Sequence, residues 1–332
     1  MLRRREGSGQ DGDGSFSGPS FQEIGVGEPG VLDLLQHGRI AHDDDAPDRI
    51  AALPDQSPAE ALMHLADQLS AAFDLNLGLL MAADSPDPVH KARVALRRFR
   101  ALLEAFAPIL DDDLADSLHD RSRALFRALG AIRDADVMAL RFAETDRAAK
   151  TAAQAAHQRL KGRKALKKQK AAEFRGRVRK RLAGKGWRQT GKKARSLRDA
   201  PLTVLATLAL DRAWEAALSN GPKSNCPESN GPDLARMRVR AQHDLRKDLK
   251  NLRYLAEFFA DLWPDAPSDL FLADLRALQD DLGELSDSAT ARALGHEDSA
   301  DTTAPQARAG AVWAALIARG PWWQAAAADR ED

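Results

Sequence analysis

Two stretches of the chain, HKARVALRRFRALLEAF at residues 90–106 and HDLRKDLKNLRYLAEFF at residues 243–259, follow one pattern. At a constant separation of 153 residues, His90 matches His243, Arg93 matches Arg246, Leu96 matches Leu249, Arg100 matches Arg253, Leu102 matches Leu255, Glu104 matches Glu257 and Phe106 matches Phe259. Arg97 stands opposite Lys250, which keeps the charge. The separation holds without a gap through Arg123-Ala124-Leu125 and Arg276-Ala277-Leu278, Leu129-Gly130 and Leu282-Gly283, and Asp134 and Asp287. A register kept over 45 residues is hard to obtain by chance in an Ala/Leu/Arg-rich chain. It predicts two copies of one helical unit. Two copies are too few for an open solenoid, so an all-α pair of bundles about a pseudo-two-fold axis is expected.

Outward from the repeats, start and stop signals divide the chain. Residues 1–56 are rich in Gly, Asp and Ser with little helical periodicity, and read as an acidic, disordered leader; Val31-Leu32-Asp33-Leu34-Leu35 is a short apolar exception. Ser57-Pro58-Ala59-Glu60 is a capping box with proline at the first helical position, followed by Leu62, Leu65, Leu69, Ala72 and Phe73 at helical spacing. Asp87-Pro88 opens the next helix and Pro108 closes it; Asp111-Asp112-Asp113 favours a third start, with that helix ending near Gly130 and a fourth beginning near Asp134. Residues 150–198 read as a long basic helical stretch broken at Gly184-Lys185-Gly186, and 202–218 as an apolar helix. SNGPKSNCPESNGPD at 219–233 is a linker. Helices follow at about 234–262, 268–285 and 308–319. The expected division is a leader (1–56) and one helical domain (57–325), made of a first repeat (57–218), the linker (219–233) and a second repeat (234–325).

The stripe of basic residues on each repeat helix carries the functional argument. On a wheel of 100° per residue with the histidine at zero, His90, Arg93, Arg97 and Arg100 fall within about 80°, and His243, Arg246, Lys250 and Arg253 fall at the same angles. The apolar arc of Val89, Ala92, Leu96, Phe99, Leu103 and Phe106 lies directly beside it, and Leu245, Leu249, Leu252, Ala256 and Phe259 form that arc in the second copy. Lys91 and Arg98 are predicted on the outer face. Like charges three and four residues apart destabilise a helix, and a stripe at the core border is partly desolvated. Compensation must come from intramolecular acids or from a bound polyanion. Glu104 and Glu257 are available, but Glu104 lies four residues beyond Arg100 and reaches only part of the stripe. Arginine forms bidentate, permanently charged contacts with phosphate oxygens, and histidine adds a contact tunable near neutral pH. Anion binding is therefore favoured over a structural ion-pair network at the seam, which stays open.

Composition sets the outer bounds. The 49 basic and 49 acidic residues give a net charge of zero, yet the charge is strongly blocked. Residues 1–56 carry −6, 57–146 −5, 147–198 +19 and 199–332 −8. Val and Ile total only 15, against a β-rich fold. The single cysteine, Cys226, excludes a disulfide framework and a Cys-based zinc site. No apolar run approaches the ~18–20 residues that span a bilayer. The start, MLRRREGSGQDGDGS, has no apolar signal core, so a cytoplasmic protein is expected.

These residues bring a family into view. HxxRxxxRRxR in the first copy and HxxRxxxKxxRYxxEF in the second resemble the two signatures of the CHAD family (conserved histidine α-helical domain). LGxxRDxD at 129–136 and Pro321-Trp322-Trp323 resemble it too, so the likeness covers about residues 57–325. The resemblance implies an all-helical fold of two bundles and binding of inorganic polyphosphate in a basic central groove, in the cytoplasm and in association with polyphosphate granules. Carried over by position, it implies that His90, Arg93, Arg97, Arg100, His243, Arg246, Lys250 and Arg253 face the polyphosphate, with Arg98, Arg133 and Lys247 as a second tier. LGELSDSA at 282–289 departs from the pattern, with Ser286 and Ala289 where the first copy has Arg133 and Asp136.

The basic run 159–181 suggests an electrostatic funnel for polyanions, against a merely solvated helix. Nucleic acid could use the same field, but only Phe174 and Trp187 offer stacking there. A phosphohydrolase or phosphotransferase using His90 or His243 ranks third: neither has a paired acid nearby in sequence, and no Gly-rich phosphate loop or HExxH is present. Asp134 and Asp136 suggest Mg²⁺ only weakly, and helix capping is the preferred role for them. The expectation is thus a binding protein with no cofactor, no metal and no catalytic residue.

Overall fold

The computed structural model describes residues 49–222, 234, 237–264, 268–293 and 302–324. The leader up to residue 48, with its 31–35 segment, and the linker from 223 to 233, with Cys226, lie outside the described residues. Among the described residues the structure is helical; the sole β feature is an isolated bridge between Leu110 and Arg188.

Helix α1 (Pro58–Ala82) starts as its sequence dictates. The Ser57 hydroxyl accepts from the Glu60 amide, and the Glu60 carboxylate accepts from the Ser57 amide at 2.9 Å. Helix α2 (Asp87–Phe106) carries the first histidine stripe and passes into a 3₁₀ turn at Ala107–Ile109, where Pro108 ends regular helix. Helix α3 (Asp112–Arg141) is capped by Asp111, whose carboxylate accepts from the Leu114 amide at 3.1 Å. Contrary to the expected break near Gly130, α3 runs on unbroken to Arg141. Asp134 and Asp136 therefore stand inside a helix and cap nothing.

The basic region is three helices, α4 (Ala148–Lys168), α5 (Phe174–Ala183) and α6 (Lys192–Asp199): the expected break at Gly184-Lys185-Gly186 is there, and a further one precedes it. The first break falls at Lys170, which adopts left-handed backbone at φ 53° without being glycine. The second half holds α7 (Leu202–Asn220), α8 (Val239–Phe259), α9 (Ser268–Ala293) and α10 (Thr303–Arg319).

Neighbours follow chain order. In the first half α1 packs on α2, α2 on α3 and α3 on α4; in the second, α7 packs on α8, α8 on α9 and α9 on α10. Helix α2 also packs on α7 and α8, which joins the halves. The buried residues form one core. In the first half it centres on Phe174, edge-on to Phe73 (5.4 Å) and Phe99 (5.2 Å). In the second it holds Phe271 with Trp322 (5.2 Å) and Trp323 (5.5 Å), and the Trp323 indole donates to Asp211 at 2.8 Å, so the Trp322-Trp323 pair is core structure. Where the halves meet, Phe106 lies 6.1 Å from Phe259.

The leader's end is ordered earlier than expected. Ile50, Ala51 and Ala52 are buried, the Ala52 amide donates to the Phe258 carbonyl at 2.8 Å, and Arg49 pairs with Asp261. This segment straps the start of the first half to the end of α8.

Candidate functional site

The α2 stripe lies at the seam with α3, half in and half out of the core, as its place beside the apolar arc requires. Arg93 is buried, while His90, Arg97 and Arg100 are half-buried. Phe126 of α3 is the shelf beneath them. The guanidinium of Arg93 sits 3.9 Å from its ring centre, that of Arg100 4.8 Å and that of Arg97 5.9 Å. Arg93 also donates to the Phe126 carbonyl at 3.1 Å. Gly130, one turn further along α3, makes room for it: a Cβ there would meet Arg93 Nη1 at 3.2 Å. The matched Gly283 of α9 does the same for Arg246, whose Nη2 would lie 3.1 Å from a Cβ. The Leu-Gly pair of each copy thus serves the stripe arginine rather than a helix end.

In the second stripe His243, Arg246 and Arg253 are buried and Lys250 is half-buried. Its acid is Glu257, 15% exposed, which takes Arg253 at 3.3 Å, Arg98 at 3.4 Å and Arg276 at 3.7 Å. Arg98 corrects an expectation: it is not on an outer face but 4% exposed between the halves, near Tyr254 (5.8 Å) and Phe258 (5.3 Å). The wheel failed there because α2 meets a second helix on that side, and Lys91 beside it is half-buried too. Glu104 of α2 in turn accepts a hydrogen bond from the Asn251 side chain of α8. Shifting every residue by 153 exchanges the Arg98–Glu257 and Asn251–Glu104 contacts. Crowding raises the Glu104 carboxyl although part of the residue stays open to solvent, while His119 and Arg100 pull the other way.

Of the second tier, Lys247 is exposed and pairs with Asp244 of its own helix at 3.3 Å. Arg133 is buried on α3, where burial lowers its pKa; Asp136 and Asp134 counter this and Arg97 adds to it. Asp136 is itself buried and bonded to Arg159 of α4 at 2.7 Å. The Asp134/Asp136 pair is thus a matter of arginine pairing, and the described residues contain no cluster of three metal-ligating side chains.

Several arginines of the basic block tie the fold. Arg163 donates to the Leu80 and Ala83 carbonyls, each at 2.8 Å, and to Asp84 at 2.7 Å, while Arg175 and Arg179 clamp Asp67 of α1 at 3.1 and 2.6 Å. Lys161, Lys164, Lys167 and Lys168 are exposed. Phe174 and Trp187 are both buried, so neither offers a face to a base.

Sequence reasoning missed Phe126 and the hub role of Glu257. A signal for Phe126 was present: in a well-matched stretch its counterpart is Gln279, whose amide donates to the Leu249 carbonyl at 2.8 Å.

Comparison with known proteins follows this geometry. The family model of the CHAD domain matches residues 61–296. Among solved structures the chain is similar to the crystal structure of the CHAD domain from the plant Ricinus communis, with 21% identity and a TM-score of 0.53 over 87% of this chain and 95% of that one. It is also similar to PptA from Streptomyces chartreusis, with 19% identity and a TM-score of 0.45 over 78% of this chain and 94% of that one. No match was found among curated proteins. At its identity the Ricinus communis structure shows the fold alone, whereas the family model matches sequence over most of the helical region: the chain belongs to the CHAD domain family.

Proposed function

We propose that this protein binds inorganic polyphosphate, without chemical turnover, in a basic groove between the α2 and α8 stripes. One observation carries the proposal: the guanidiniums of Arg93, Arg97 and Arg100 are gathered over the single ring of Phe126. Gathering like charges on one ring is a local concentration of positive charge that a bound anion would lower in energy. A fold that assembles them with Arg97 and Arg100 still partly open to solvent suits a ligand rich in anionic oxygens. The family resemblance points to the same ligand class. Burial of Phe174 and Trp187 disfavours the nucleic-acid alternative.

The test changes Arg93, Arg97, Arg246 and Lys250 together to Ala. Long-chain polyphosphate binding should vanish with helicity intact, and orthophosphate should bind the unaltered protein poorly. Loss of helicity instead would support the structural ion-pair network, and equal affinity for single phosphates would sink the groove. Polyphosphate recovered after incubation should keep its chain length; released phosphate would move the protein to the phosphohydrolases.

A further inference from the structure

We infer that the exposed lysine face of α4 is a second phosphate-polymer surface, which a long polyphosphate engages while its other part occupies the groove. The inference rests on the proposed function for its ligand class and on separate residues for its site.

The matched helices provide an internal control. Helix α10 stands to α9 as α4 stands to α3. Its two arginines are both committed to α9: Arg308 pairs with Asp281 at 2.7 Å and Glu284 at 3.2 Å, and Arg319 pairs with Asp274. Helix α4 has the equivalent ties in Arg159 and Arg163, which bond to Asp136, Asp84 and the end of α1. The demand for structural cations is therefore met by arginine. Lys161, Lys164, Lys167 and Lys168 come in addition and lie on the exposed side of the last two turns. Between residues 147 and 198 only one acid, Glu173, is present, and it is held by Arg177 at 2.7 Å. A solvated helix face ordinarily mixes both signs; this one does not.

The face is joined to the stripe. Asp136 of α3 holds Arg159 of α4 at 2.7 Å, two residues before Lys161. Arg159 and Arg163 also pin α4 to the Ala83–Asp84 turn that leads into α2 and His90. The lysines are thus held in fixed register to the start of the stripe. A flexible lysine ammonium suits a polymer tracked by charge rather than by a shaped pocket. A polymer that reaches both surfaces binds with avidity that can exceed either site alone by about 10²–10⁴.

The experiment measures short and long polyphosphate binding to the full chain carrying Lys161→Gln, Lys164→Gln, Lys167→Gln and Lys168→Gln, with helicity as control. Long-chain affinity should fall at least about tenfold and its salt dependence should flatten, while short-chain affinity is unchanged. Unchanged long-chain affinity would overturn the inference, leaving a merely solvated face. An equal fall for short and long chains would overturn it too, by showing that the lysines belong to the groove. Competition by RNA that is stronger against the unaltered protein than polyphosphate would assign the face to nucleic acid instead. The stripe variant, run in parallel, separates the two claims: if it keeps its short-chain binding, the groove fails, while the lysine effect on long chains is judged on its own.

Discussion

Among single residues, Asp136 is a carboxyl that burial pushes upward. It is 1% exposed, and burial pushes its carboxyl up to about 6 from 3.8, against the pull of Arg159 and Arg133. The folded protein therefore holds this proton more tightly than the unfolded chain does. The stabilisation contributed by this group is present below 3.8, falls as pH rises from 3.8 to about 6, and is lost above that window. A shift of about two units corresponds to roughly 3 kcal/mol. Asp136→Asn should flatten this part of the profile. In urea unfolding between pH 4 and pH 7, the difference between native and variant should change steadily across the window; parallel profiles would show that Asp136 ionises as an ordinary surface carboxyl.

Among elements, α5 shows which forces hold a highly charged helix. It presents Arg175 and Arg179 to Asp67, whose carboxyl is held well below its usual range by those two hydrogen bonds. It also inserts Phe174 between Phe73 and Phe99. The ion pairs are partly open to water, where such contacts contribute about 0–1 kcal/mol. Emptying a buried phenylalanine site costs about 3–5 kcal/mol. Phe174→Ala should lower unfolding stability by about that amount, and Asp67→Ala by about 1 kcal/mol or less. The reverse order would mean that charge, and not the aromatic cluster, docks this helix.

For the whole molecule, zero net charge is the least informative number, because +19 in residues 147–198 is cancelled by acids elsewhere. Where the halves join, one carboxylate, Glu257, serves Arg98, Arg253 and Arg276. Glu257→Ala leaves those guanidiniums without their shared acid, at a cost of about 3 kcal/mol. If the junction borders a polyanion site, added polyphosphate should raise the melting temperature of Glu257→Ala more than that of the unaltered protein. An equal rise would show that the ligand never reaches these arginines. No described helix is long and apolar enough to cross a membrane.

Much of this was legible in the chain itself. The capping box at Ser57, the Pro108 stop, the helical fold and both stripes at the core border follow from periodicity and local hydrogen bonding, which act over a few residues. The N-terminal boundary, the break at Lys170 and the continuity of α3 through Gly130 did not. Each meets a partner distant in sequence: Phe258 for Ala52, Arg121 for the Gln169 and Lys170 carbonyls, and Arg93 for Gly130. Arg98 is the sharpest case. A helical wheel knows one apolar face, but α2 has a second neighbour, and only the packing of α8 turned a predicted surface arginine into a buried ion pair. Sequence by itself determined which residues form helices and which carry charge beside the core. Tertiary structure decided which of those charges are consumed in holding the fold, because pairing is settled by distances that no spacing along the chain contains.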